Sequence, residues 1–254
     1  MTQFVDWNLA ASTASMLAGA GPKIGLSEAA EIVTDLRSLA QEAAGHVEEF
    51  TGLVSPPGLP AIQVVDRADW AVANIEGLKN LFGTLIPRVI NQEPGLLMSA
   101  VGSKVTGAQA GTLLAYLSTK VLGQYEVFAG APGRLLLVAP NIAEVEDKLD
   151  VNHRDFRLWV CLHEIAHRTQ FTAVPWLRGH FLGEIQAFAD SSEIDGEALT
   201  ERIRRAFSAL TDDTTSLLDI MQTREQKKVV ARLTALMTLL EGHAEFVMDG
   251  VGPS

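Results

Sequence analysis

His163, Glu164 and His167 form an H-E-x-x-H pattern inside the stretch Leu158 to Phe171. On an α-helix, residues four apart lie about one turn apart, so the two imidazoles project from one face. Two such nitrogens can share a zinc ion, and Glu164 is then placed to act as general base on water activated by it. Leu158, Trp159, Leu162, Ile165, Ala166 and Phe171 supply apolar surface to bury the same helix. The competing reading is a core helix whose histidines satisfy each other or backbone carbonyls. Cys161 lies about 200° around the helix from His163 and is read as a small core residue rather than a ligand.

Catalytic zinc takes three protein ligands and a water, so a third ligand must come from elsewhere. A metzincin extension would place glycine and histidine where Gln170 and Ala173 stand, which excludes that class. His180, Glu184 and Glu241 are the candidates. Glu241 and Glu245 sit one turn apart in the otherwise apolar Leu239 to Phe246, and a buried carboxylate is costly unless paired or metal-bound. Glu241 is therefore preferred as ligand. Glu245 is expected to accept a hydrogen bond from the outward nitrogen of a ligand histidine. Glu184 has no such partner, because Phe188 follows it by one turn, and His180 follows Arg178-Gly179 near a turn. His243 lies about 200° from Glu241, which counts against direct ligation.

The elements that must hold these residues are mostly helical. Residues 5–20 form an Ala- and Ser-rich helix, and a second helix opens at Ser27 and runs to about Phe50. Ser55 to Pro60 is a Pro-rich crossing. A helix capped by Asp69 runs to about Asn91, and another covers roughly 97–122, where Gly107 and Gly111 let a neighbour approach closely. Gln124 to Phe128 and Arg134 to Ala139 flank Ala129-Gly130-Ala131-Pro132-Gly133 and read as a β-hairpin. Its edge could bind an extended peptide or serve structure alone. Asn141 to Asp150 is a short helix or acidic loop, and Asn152 or Asp155 caps the metal helix. His153 enters that helix too far along its axis to share the ion. A helix through Trp176 to Phe188, one to about Leu210, a break at Thr211 to Thr215 and a long helix from Glu225 to Met248 complete the chain.

Acidic residues outnumber basic ones by 31 to 20, giving a net charge of −11. With no basic cluster, nucleic acid and anionic membranes are poor partners. A single cysteine allows no intramolecular disulfide, and no apolar run reaches membrane-spanning length. The N-terminus lacks a basic leader segment and carries Asp6 early, so a cytoplasmic location is expected.

Taken together, Leu122 to Glu126, Arg134 to Asn141, His163 to Phe171 and Leu240 to Glu245 resemble the zincin-like metallopeptidases of actinobacteria. Val64-Val65-Asp66-Arg67 and Trp70 fit as well. Members of that family are often labelled hydrolases, or proteins associated with biosynthesis of the deazaflavin coenzyme. The resemblance implies a mainly α (α+β) zincin-like helical fold with a small β-hairpin beside the H-E-x-x-H helix. It implies one domain over 1–254, with an N-terminal helical part (1–60) and a core carrying the metal site (61–254), shortened at the C-terminus relative to longer members. It also implies Zn²⁺ on His163, His167 and Glu241, with Glu164 as base.

The expected function is zinc-dependent hydrolysis of a peptide or protein substrate, with His243, Tyr125 and Arg168 as candidates to stabilise the oxyanion. The rival expectations are a catalytically silent metal-binding scaffold acting through a partner, and an accessory role in making the deazaflavin coenzyme.

Overall fold

A computed structural model describes residues 4–89, 96–191 and 224–251. Side chains are described for these except 85–89, 96–100 and 224. The organising element is strand β3 (Arg134–Val138), a continuous apolar run buried on both faces. Leu135 and Leu137 face one helical layer, and Leu136 and Val138 face another. An unbroken Leu-Leu-Leu-Val run, rather than an alternating one, is what two-sided burial requires. Strand β1 (Gln63–Val65) pairs with β3 in parallel and β2 (Gly123–Glu126) pairs with it antiparallel, giving the order β1-β3-β2.

The first layer holds α2 (Leu26–Thr51), α5 (Ala139–Leu149), α6 (His153–Ala173) and α8 (Arg224–Gly250). Leu36, Ala40, Ala43 and Val47 of α2 meet Cys161, Ile165 and Ala166 of α6 and Ala244 and Val247 of α8, all essentially inaccessible. Steps of three and four residues within these sets make the stripe that buries a helix. The second layer holds α1 (Trp7–Leu17), α3 (Arg67–Val89) and α4 (Leu96–Ser118). Here Ala10, Ala14, Trp70 and Ile75 pack with Leu114 beneath the sheet. A Cβ on Gly107 would lie 2.5 Å from the Asp6 carbonyl oxygen, and one on Gly111 would overlap that of Ala10. The two glycines thus let α4 touch the backbone of α1, as their spacing predicts. Helix α7 (Leu177–Asp190) follows α6 and packs on α3 and α8.

Among the described residues the architecture is mainly helical with one three-stranded sheet, in line with the expected fold class. The hairpin lies beside α6 as anticipated, and Asn152 caps α6 by accepting from the Asp155 amide at 3.1 Å. Four local readings need correction. β1 was missed, since three residues after a Pro-rich crossing show no periodicity. Asp66, not Asp69, caps α3, accepting from the Asp69 amide at 2.8 Å. Gly25, not Ser27, precedes α2, and Ser27 instead reaches Glu31 within the helix. Trp159 is not part of the buried stripe: it is 44% exposed and stacks on Phe156. The expected helix to Leu210 and the break at Thr211 to Thr215 lie outside the described residues. No described helix is long and apolar enough to cross a membrane.

Candidate metal centre

The middle of α6 presents His163 and His167 from one face, their Nε2 atoms 3.1 Å apart and their rings perpendicular. Helix α8 crosses this face and brings Glu241 Oε2 to 3.6 Å from His163 Nε2 and 3.4 Å from His167 Nε2. The histidine pair and Glu241, which lies more than 70 residues further along the chain, are the group of donors among the described residues able to share a cation. A tetrahedral zinc about 2.0–2.1 Å from each donor would hold the donors roughly 3.3 Å from one another. The observed spacings bracket that value, so the residues fit the ion.

The route by which Glu241 arrives differs from the expected one. It is not a buried carboxylate stabilised by a partner: its side chain is 48% exposed, and Glu245 is exposed as well. The apolar face of α8 is Leu240, Ala244, Val247 and Met248, which docks on the core and leaves Glu241 at the rim, over the histidine pair. Gly242 leaves open space beside it. Glu245 accepts no hydrogen bond from a described residue and acts on His163 only through its charge.

The acceptor for the outward nitrogen of His167 is instead Gln170, three residues beyond it and only 4% exposed. Its amide nitrogen donates to the Leu240 carbonyl at 2.9 Å, which fixes the amide's orientation, because a carbonyl can only accept. The same nitrogen lies 2.9 Å from His243 Nδ1, and the amide oxygen lies 3.1 Å from His167 Nδ1. His167 therefore carries its proton on Nδ1 and turns the Nε2 lone pair towards Glu241, while His243 accepts on Nδ1 and holds its proton on Nε2. One amide thus ties the metal helix to α8 at the residue just before Glu241. Its signal was present in the sequence as a polar residue on the buried face of α6, but spacing alone does not say what it bonds.

Glu164 points away from solvent, 7% exposed, and packs against β2. A Cβ on Gly123 would lie 2.5 Å from its Cγ and 2.7 Å from its Cδ, so only glycine at this strand position leaves room for the carboxyl. Burial, reinforced by the charge of Glu241, pushes its pKa up to about 8. A divalent cation beside it would reverse that shift by favouring the carboxylate. Burial likewise lowers the pKa of His163, with His167 adding to the effect, and that of His243.

The other candidates lie elsewhere. Glu184 pairs with Arg232 at 2.8 Å and clamps α7 to α8. His180 packs edge-on against Trp176 near the start of α7, and His153 faces Glu146 and Asp147. Cys161 is buried under α2, its thiol pushed up to about 12 by desolvation. Tyr125 donates its hydroxyl to the Pro132 carbonyl inside the hairpin, so it is committed to the turn.

A helix bearing two histidines and a buried glutamate, a carboxylate from a second helix and a strand edge alongside together define a zincin-type centre. The chain belongs to the zincin-like metallopeptidase family, whose sequence profile matches residues 5–254, and membership implies zinc binding. Among solved structures it is similar to a "putative hydrolase with a novel fold" from Chloroflexus aurantiacus, at 30% identity and a TM-score of 0.65, covering 97% of this chain and 69% of that one. No curated protein matches.

Proposed function

We propose that this chain is a zinc-dependent hydrolase, and specifically a peptidase, with His163, His167 and Glu241 as metal ligands and Glu164 as general base. The observation that carries the reading is the placement of Glu164: a buried carboxyl adjacent in sequence to one ligand, held by Gly123 against a strand edge. A scaffold that only stored metal would have no use for a desolvated acid there. An accessory role in making the deazaflavin coenzyme rests on the family label, and no residue of the site argues for it.

When bound, zinc supplies Lewis acidity, acidifying water towards neutrality and polarising the scissile carbonyl. Glu164 takes the proton of the attacking water on a carboxylate oxygen and returns it to the leaving amine nitrogen. His243, with its proton on Nε2, is the best placed of the three oxyanion candidates to donate to a developing negative charge. β2 is an edge strand, and pairing through Gln124 and Glu126 leaves the peptide groups of Gly123 and Tyr125 turned outward, able to receive an extended substrate.

The test is hydrolysis of a mixed-peptide digest by the zinc-loaded chain, with a chelated control. Metal retained at one equivalent without cleavage would favour the scaffold. Two further results are expected. Gln170→Leu should weaken zinc binding on the order of ten- to a hundredfold in a chelator competition, because His167 loses the acceptor that orients it. Gly123→Ala should leave zinc affinity intact yet lower kcat/KM about a hundredfold, the effect of displacing a catalytic group by roughly 1 Å. Unchanged kcat/KM would mean that Glu164 need not sit where it does.

A further inference from the structure

Among the described residues, two guanidiniums near the site lack the carboxylate partner that the other unexposed arginines have. Among the described arginines that are not exposed, Arg67 pairs with Glu144, Arg134 with Glu76 and Glu126, and Arg157 with Glu146 and Asp35. Arg168 and Arg178 are also half-buried, yet no described carboxylate reaches either, in a chain with an excess of acids. Arg178 donates one bond to the Val127 carbonyl at 3.1 Å, and its Nε is buried without a partner. Removing a guanidinium from water without pairing it is unfavourable, so a pair left in this state is complementary to an anion.

Their position says which anion. Arg168 follows Glu164 by one turn on the same face of α6, about 6 Å further along the axis. That face runs along β2: Glu164 touches Gly123, and Phe171 stacks on Tyr125 with ring centroids 5.7 Å apart. Both guanidiniums act on the Tyr125 phenol through their charge. Phe181 of α7 continues the wall, 5.8 Å from Phe171 and 6.1 Å from Phe128. An extended peptide rising about 3.3 Å per residue along β2 would cover the distance from Glu164 to Arg168 in two residues.

We propose that Arg168 and Arg178 form a carboxylate-binding subsite beyond the general base, so that preferred substrates carry a negative charge about two residues from the scissile bond. The inference rests on the hydrolase reading for its meaning. Guanidiniums bind carboxylates through paired, charge-assisted hydrogen bonds, and the aromatic wall accommodates the apolar part of the same residue. The carboxylate has two sources, a peptide C-terminus or an Asp or Glu side chain.

The experiment uses the zinc-loaded full chain carrying Glu164→Gln and measures binding of fluorescent hexapeptides by anisotropy. One pair differs as C-terminal acid and amide; a second, amidated pair differs as internal Glu and Gln. The charged member of at least one pair should bind on the order of tenfold or more tightly, the pair that discriminates naming the source. Adding Arg168→Met or Arg178→Met should erase the ratio, and Arg168→Lys should restore part of it. Ratios within about twofold for both pairs, or ratios that survive both methionine variants, overturn the subsite. Turnover of the same peptides by the unmutated chain reads the other claim independently. Cleavage without charge discrimination removes the subsite alone, and discrimination without cleavage removes the hydrolase reading alone.

Discussion

Replacing Glu164 by Gln in the zinc-loaded chain is expected to lower peptide hydrolysis about a thousandfold while one equivalent of zinc stays bound, the scale on which a positioned general acid–base group acts. The amide preserves the shape that Gly123 admits but has no carboxylate to accept a proton. The same variant carries a second signature in the metal-free protein. An unfolded glutamate ionises near its ordinary value of about 4.3, whereas the folded Glu164 holds its proton to about 8. Between those values the folded state binds more protons, so raising the pH from about 4.5 to 8 must cost the metal-free chain stability. The contribution is intact below 4.5 and gone above 8. Glu164→Gln removes this dependence, so the metal-free variant should be the more stable of the two at pH 8, by up to about 4 kcal/mol, and the difference should vanish near pH 4.5. Thermal melts at several pH values check it. A variant equal to the parent in activity would strip Glu164 of its role, and parallel melting curves would mean that its carboxyl is not buried as described.

The second large effect is expected at Glu241. Zinc held by three protein ligands and a water binds with a free energy shared among them. If a tightly bound zinc gains roughly 10–16 kcal/mol from four ligands, one ligand's share is about 3 kcal/mol, or on the order of a hundredfold in affinity. Glu241→Ala should therefore weaken zinc binding at least about a hundredfold without unfolding the protein, because the side chain lies at the rim of α8 and contributes nothing to the Leu240, Ala244 and Val247 face. Glu245→Ala, by contrast, should change affinity by less than about threefold, since Glu245 reaches the site only as a nearby charge. Chelator competition on the two variants separates the roles. Equal losses would return Glu245 to the part that its spacing first suggested.

The contrast between these two glutamates shows how far the sequence reaches. The H-E-x-x-H pattern carries its own geometry, because a four-residue helical spacing leaves the imidazoles no choice of face. The same holds for the hairpin around its Gly-Ala-Pro-Gly loop and for the Gly107–Gly111 contact, whereas the cap of α6 was narrowed only to Asn152 or Asp155. Glu241 was legible as the candidate third donor, but for a reason the structure does not support: it is not a buried charge seeking a partner, but a rim residue positioned by the apolar stripe next to it. What sequence could not supply was the pairing of distant side chains. Gln170 reads as an ordinary polar residue until α8 places the Leu240 carbonyl and His243 against it. His243, discounted only as a direct ligand for its angle around the helix, joins the site through that amide. β1 was invisible because three residues held by a parallel partner 73 positions away leave no local period.

The most direct measurement is anomalous scattering at the zinc edge from crystals of the zinc-loaded chain. One peak is predicted about 2.0–2.2 Å from His163 Nε2, His167 Nε2 and a Glu241 carboxylate oxygen. A peak coordinated without Glu241, or no peak at the two histidines, would contradict the account.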